Sequence, residues 1–298
     1  MRPRRRMTGW ADVVGLGRDW LRSGAPSRRG CSDFDGVRRY ILFLGYPRSG
    51  HSIVGGLLDA HPNAVVSHEQ AALRYVHLRF DRCRLFWLLR RAAHAQAGED
   101  RPSGDYRYAV HGQWQGRHAE IRVIGDKQGG GAVLRLRAAP HLLDRLRRTV
   151  GVPLAIVHVC RNPFDNIATI ARRAITEQAL AERAVAEREV ADANLKEAAA
   201  LYFSLCDTIG GIRSGVPGEE WIEFRHEDLI ADPGKVLAGL CRRLDLEPTQ
   251  EYLRDCAAIV YESANRTRHG VQWSADRLHS VRDSMGEYPW LAGYSFDD

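Results

Sequence analysis

Two short runs of this 298-residue chain are apolar at nearly every position. Tyr40-Ile41-Leu42-Phe43-Leu44 and Leu154-Ala155-Ile156-Val157-His158-Val159 lack the alternation of a half-exposed strand. Both faces are therefore expected to be covered, as in a parallel sheet flanked by helices. Trp221-Ile222-Glu223-Phe224 and Arg122-Val123-Ile124-Gly125 predict two further strands. Helical patterns cover 53–60, 70–96, 140–148 and 233–244, and an Ala/Glu/Arg-rich stretch from Phe164 to Ile209 predicts one long helix too polar to be buried all round. Strands alternating with helices predict an α/β fold of three layers, with a central parallel sheet, helices on both faces and right-handed crossovers. Residues 37–298 contain no linker-like stretch and are expected to form a single domain. Residues 1–36 are expected to be a basic, partly ordered arm with a short helix.

Composition changes this picture little: 44% of residues are hydrophobic and 27% charged, as in ordinary globular chains. The net charge of +6 suits an anionic ligand, and a codon bias towards arginine accounts for the excess equally well. Only Lys127, Lys196 and Lys235 are lysines. No motif of interleaved aromatic and basic residues accompanies the charge, so nucleic acid is not an expected partner. The six cysteines show no C-x-x-C pair and no zinc-type spacing, so neither a metal nor a disulfide framework is expected. Reduced cysteines imply a cytoplasmic setting. The arginines at the start resemble the charged part of a secretion signal, but Asp12, Arg18 and Asp19 interrupt the apolar stretch that should follow. No run of about 18 apolar residues occurs, so no membrane span is expected.

The candidate chemistry begins where the first apolar run ends. Leu44-Gly45-Tyr46-Pro47-Arg48-Ser49-Gly50-His51-Ser52 lies between a buried strand and a helix. Glycines allow a tight turn, and the free N–H groups at the helix start bind an anion. The spacing Gly45-x4-Gly50-His51-Ser52 fits a Walker A loop except that His51 replaces the lysine, which counts against an ATPase or kinase. What remains resembles the 5′-phosphosulfate loop of the sulfotransferases that use 3′-phosphoadenosine-5′-phosphosulfate (PAPS), with Arg48 in the position of that family's phosphosulfate-binding cation. His51 departs from the usual threonine, although its backbone N–H can still serve.

Leu57-Leu58-Asp59-Ala60-His61-Pro62-Asn63, leading to Val66-Ser67-His68-Glu69, is similar to a stretch of the tyrosylprotein-type and related bacterial sulfotransferases. That resemblance implies that Glu69, 21 residues after Arg48, is the general base. A carboxylate makes chemical sense, because an acceptor hydroxyl is a poor nucleophile until its proton is removed. The neighbouring His68 is the other candidate, since cytosolic sulfotransferases use histidine.

The second strand ends in Arg161-Asn162-Pro163-Phe164-Asp165-Asn166-Ile167-Ala168-Thr169, which resembles the family's 3′-phosphate motif, with the arginine and hydroxyl eight residues apart. An arginine fork suits phosphate. Ile124-Gly125-Asp126-Lys127 resembles the segment whose lysine stabilises the transferring sulfonate, and Arg266-Thr267-Arg268-His269-Gly270 loosely resembles a loop whose arginine reaches the 3′-phosphate. His158 is expected to be a satisfied core histidine.

The resemblance therefore implies a P-loop-like sulfotransferase working without a metal. Arg48, Ser49, Gly50, His51, Ser52, Arg161, Thr169 and Arg268 would bind PAPS and its product 3′-phosphoadenosine-5′-phosphate (PAP), and Glu69, Arg48 and Lys127 would act in catalysis. The alternatives are a P-loop phosphotransferase and a non-catalytic nucleotide-binding scaffold. The acceptor (small molecule, carbohydrate, lipid or peptide) stays open, as does a homo-oligomeric state. Arg74, Arg79, Arg82, Arg84, Trp87, Arg90 and Arg91 suit an acidic or aromatic acceptor, or a solvated face.

Overall fold

The computed structural model describes residues 10–97, 102–103, 106–182 and 190–298. The chain runs through α1 (Trp10–Arg29), β1 (Arg39–Gly45), α2 (His51–Asp59), β2 (Ala64–His68), α3 (Ala72–His77) and α4 (Arg82–Ala97). The short antiparallel strands β3 (Pro102–Ser103) and β4 (Tyr106–Arg107) come next, followed by β5 (Val123–Lys127) and the helices α5 (Gly130–Ala138) and α6 (Leu142–Val150). After β6 (Leu154–Cys160) lie α7 (Pro163–Glu182), α8 (Asp192–Ser214) and β7 (Trp221–Arg225). Then come α9 (His226–Ala231), α10 (Pro233–Arg243), α11 (Gln250–Ala257) and α12 (Ala275–Met285).

Five strands form one parallel sheet in the order β2-β5-β1-β6-β7, flanked by helices, as the apolar runs predict. β6 is buried at every position and β1 at all but its first, which explains why these two strands carry no alternation. The chain forms two compact units.

The first unit comprises Met1–Ile41, Gly55–Lys127 and His141–Leu154. Here β2 pairs with β5 from Ala64↔Val123 to His68↔Lys127, and α4 packs on both strands. The expected helix over 70–96 is two helices, because Arg79 takes a left-handed φ of 60° and Asp81 Oδ1 caps α4 by accepting from Arg84 N at 2.9 Å. The expected short helix of the arm is the 20-residue α1, which packs on α4; residues 1–9 lie outside the described residues. The Arg84 guanidinium sits 3.5 Å from the centre of the Trp20 ring. Arg90 pairs with Asp33 at 2.6 Å, and Arg82 donates to Phe34 O at 3.1 Å. These arginines of α4 hold the N-terminal segment rather than an acceptor.

Cys31 and Cys83 form a disulfide, with Cα atoms 5.3 Å apart and a sequence separation of 52. This corrects the expectation of six reduced cysteines and removes the ground for a reducing compartment. Spacing could not reveal the pair, since it is the packing of the Cys31–Phe34 turn against the start of α4 that brings the two together. No described helix is long and apolar enough to cross a membrane.

The second unit comprises Leu42–Val54, Gln128–Pro140 and Ala155–Asp298. Here β6 pairs with β7 from Ile156↔Trp221 to Cys160↔Arg225, and α8 packs on α5, α7 and α12. The expected helix over 164–209 is divided into α7 and α8, and residues 183–189 lie outside the described residues. Gly130 and Gly131 open α5.

Candidate active site

In the second unit, the turn from Gly45 to Gly50 carries β1 into α2. Arg48 and Gly50 both have left-handed backbone, with φ of 69° and 93°. A Cβ at Gly50 would lie 2.1 Å from the His226 ring, so no other residue fits there. The loop is tied to the second motif through its carbonyls. Asn166 Nδ2 donates to Pro47 O at 2.7 Å, and Arg161 donates to Arg48 O at 3.1 Å. Those bonds occupy carbonyls, and the N-terminus of a helix such as α2 offers a setting that suits an anion. Ser49 is fully buried, with Oγ 3.0 Å from His51 Nδ1. The His51 ring packs so tightly on Gly129 that a Cβ there would lie 2.5 Å away. The imidazole is thus a packing element of the loop, and the departure from threonine leaves the backbone donor in place.

Arg161, at the end of β6, is 7% exposed. It donates to Thr169 Oγ1 at 3.4 Å, to Thr267 Oγ1 at 3.0 Å and to Asn265 O at 2.6 Å. The two threonine hydroxyls are 2.8 Å apart, so a guanidinium and two hydroxyls converge. Pro163 starts α7 in its first turn, and two helical turns bring Thr169 back over Arg161. Thr267 was missed in sequence, although it stands inside the arginine-rich loop. Arg268, proposed there for the 3′-phosphate, is engaged elsewhere: it pairs with Asp165 at 2.5 Å and donates to Phe296 O at 2.6 Å and to Asp298 O. The loop's contribution to the cluster comes from the hydroxyl one residue earlier.

Among the described residues, His226 Nδ1 and Asn166 Oδ1 are buried polar atoms of this unit without a hydrogen-bond partner. Burial, reinforced by the Arg161 charge, pushes the His226 imidazole down to about 4. A neutral ring against Gly50, a glycine cradle and a guanidinium with two hydroxyls form a donor set that fits a nucleotide bearing two phosphate groups.

Tyr46 anchors the loop from within. Its hydroxyl accepts from Trp290 Nε1 at 2.8 Å and lies 3.2 Å from His158 Nε2, whose Nδ1 is 2.9 Å from Glu223. His158 is therefore the satisfied core histidine expected, and burial lowers its pKa. Ligand atoms of His158, Cys160 and Glu223 lie within 4.8 Å of one another, but the Glu223 carboxylate also takes Trp221 Nε1 at 3.1 Å and Arg213 at 3.4 Å. That carboxylate is engaged by side chains of the protein itself.

In the first unit, the register that sets His68 beside Lys127 brings the other candidates together. Lys127 Nζ lies 2.8 Å from Glu69 Oε1 and 3.3 Å from His68 Nε2. The lysine side chain is 1% exposed and the glutamate 58%, so the cation is buried and the carboxylate open to solvent. Gly55 makes room for the lysine stem, since a Cβ there would lie 3.0 Å from it. Glu69 and Ala71 both adopt left-handed backbone, with φ of 56° and 57°, at a cost of about 1 kcal/mol or more each. Such strain persists only where neighbours enforce it. Gln96 brackets His68, accepting from its N–H at 2.9 Å and donating to its carbonyl at 2.7 Å. Asp126 is buried, which pushes its carboxyl above the ordinary range against the pull of three donors.

A parallel sheet with a glycine-bearing phosphate loop after β1 and an arginine–hydroxyl cluster after β6 defines a P-loop-like, nucleotide-dependent transferase. The chain belongs to the sulfotransferase family, whose sequence profile matches residues 41–251. Among solved structures it is similar to the sulfotransferase domain from the curacin biosynthetic pathway, at 13% identity over 84% of this chain and 96% of that one, with a TM-score of 0.52. It is also similar to sulfotransferase STF9 from Mycobacterium avium, at 13% identity over 90% and 80% of the two chains, with a TM-score of 0.53. At these identities the likeness is one of fold. Among curated proteins none matches the chain in sequence.

Proposed function

We propose that the enzyme transfers the sulfonate of PAPS to an acceptor hydroxyl or amine, with Glu69 as general base. The observation that carries this reading is the position of Arg161, bonded at once to the carbonyl of Arg48 in the first phosphate loop and to Thr169 and Thr267 in the second. One guanidinium thus couples two anion sites, as a nucleotide with phosphate groups at both 5′ and 3′ positions requires. The backbone N–H groups of the loop and the start of α2, from Arg48 to Ser52, would hold the 5′ end. Arg161, Thr169 and Thr267 would hold the 3′-phosphate, and His226 would lie against the nucleotide as a neutral ring. Bound there, PAPS supplies an activated sulfonate that an acceptor atom can displace from phosphate.

Glu69 takes the acceptor's proton, and its exposed carboxylate is suited to meet an incoming molecule. Lys127 orients that carboxylate and, with Arg48, balances negative charge that develops on the transferring group. His68 shares the lysine with Glu69, at 3.3 Å from Nζ. The acceptor is a molecule with a free hydroxyl or amine, and the donor chemistry on this chain calls for no metal.

Calorimetric titration with PAP tests the reading. The wild-type chain should bind at micromolar concentration and ignore ATP. Arg161→Ala should weaken binding by about 2 kcal/mol, roughly thirtyfold, because charge-assisted bonds to phosphate are lost. Absence of PAP binding, or tighter binding of ATP with Mg²⁺, would overturn the assignment in favour of phosphoryl transfer.

A further inference from the structure

Asp126 has no part in the functional reading above, yet its buried carboxylate accepts three hydrogen bonds. Oδ1 accepts from Ser67 Oγ at 2.9 Å and from Gln70 N at 3.0 Å, and Oδ2 accepts from Ala72 N at 3.0 Å. The side chain is 2% exposed. Its three donors flank Glu69 on both sides in sequence. The two left-handed residues, Glu69 and Ala71, alternate with the two residues whose amides Asp126 binds, Gln70 and Ala72. A left-handed residue turns its following peptide, so a chain that takes two such turns within three residues gathers its amides on one side. A buried carboxylate on that side offers those amides a charged acceptor in place of water.

We propose that Asp126 is the positioning residue for Glu69: its carboxylate fixes the turn over 67–72 so that the glutamate leaves β2 pointed at the Lys127 ammonium. The same β5 strand then supplies both parts of the device. Asp126 sets the backbone on which Glu69 stands, and the next residue, Lys127, receives its carboxylate at 2.8 Å. Glu69 N adds a third tie to β5 by donating to Lys127 O at 2.9 Å. The proposal rests on Glu69 being the base.

The test compares Asp126→Asn, Glu69→Gln and the double variant. The readout is conversion of PAPS to PAP in the presence of phenolic, sugar and tyrosyl-peptide acceptors. Asparagine keeps the volume but opposes an NH2 group to at least one of the two amides. Its kcat should fall by between about tenfold and about a hundredfold, the scale of a misplaced reacting group. KM for PAPS and affinity for PAP should stay within about twofold, because the lost interaction acts only on the proton transfer. The double variant should be no slower than Glu69→Gln, since Asp126 acts through the glutamate. A wild-type kcat for Asp126→Asn, or losses that multiply in the double variant, would overturn the proposal. Full activity in Glu69→Gln would sink the base assignment itself and this inference with it, whereas an inactive Glu69→Gln beside a fully active Asp126→Asn sinks only the positioning role. If Asp126→Asn fails to fold, Ser67→Ala removes one donor and leaves both amides bound, and a smaller fall in kcat at unchanged PAP affinity is expected. In the wild-type chain the Gln70 and Ala72 amides should exchange slowly with deuterium; exchange at the rate of an open loop would count against the arrangement.

Discussion

His226 shows what a single side chain contributes when it is buried without a hydrogen-bond partner at Nδ1. Its imidazole titrates at about 4 in the folded chain against an ordinary 6.5. Between these values the unfolded chain takes up a proton that the folded one resists, so stability present above pH 6.5 is lost as pH falls towards 4. The full effect amounts to at most about 3 kcal/mol. Urea denaturation across that window should show the slope, and His226→Gln should flatten it in part, because His158 is depressed by burial in the same direction. An unchanged slope in the variant would mean that the ring is solvated. At this scale the sequence was informative wherever chemistry follows from spacing. Arg161 and Thr169 stand eight residues apart because two helical turns reunite them. It was uninformative about Thr267 and Arg268, whose roles depend on which of two adjacent side chains turns inward.

Among the elements, those buried on both faces were the legible ones. β1 and β6 show as continuous apolar runs, whereas β2 (Ala64-Val65-Val66-Ser67-His68) ends in two polar residues and merges with the turn that follows. The polarity of Ser67 and His68 reflects side-chain contacts with Asp126 and Lys127, which no periodicity announces. The α1–α4 pair was hidden for a related reason. The arginines of α4 look solvated on a helical wheel, yet Arg84 and Arg90 are engaged by Trp20 and Asp33. The Cys31–Cys83 bond closes this pairing. Cys83→Ser, or reduction of the wild type, should lower stability by about 2–4 kcal/mol through the freed loop of the unfolded chain. Chemical denaturation with and without reductant measures it. PAP affinity should not change, because every group assigned to the nucleotide belongs to the second unit.

For the whole molecule, the excess of 43 basic over 37 acidic residues bears on encounter rather than fold. Several arginines are paired with carboxylates of the chain itself, as Arg268 and Arg277 show, so the field at the nucleotide loops is weaker than the count of arginines suggests. Association of PAP should still slow several-fold as salt rises from dilute buffer to above physiological strength, because multiply charged anions are drawn in by the net positive field. Stopped-flow binding at several ionic strengths would show it, and a salt-independent rate would mean that the charge excess is spread away from the loops.

The packing of His51 on Gly129 makes the two positions interdependent. With the imidazole in place a side chain at 129 would collide with the ring, whereas a smaller residue at 51 would leave space there. Substitutions at 51 and 129 should therefore be far from additive, each deciding what the other can be.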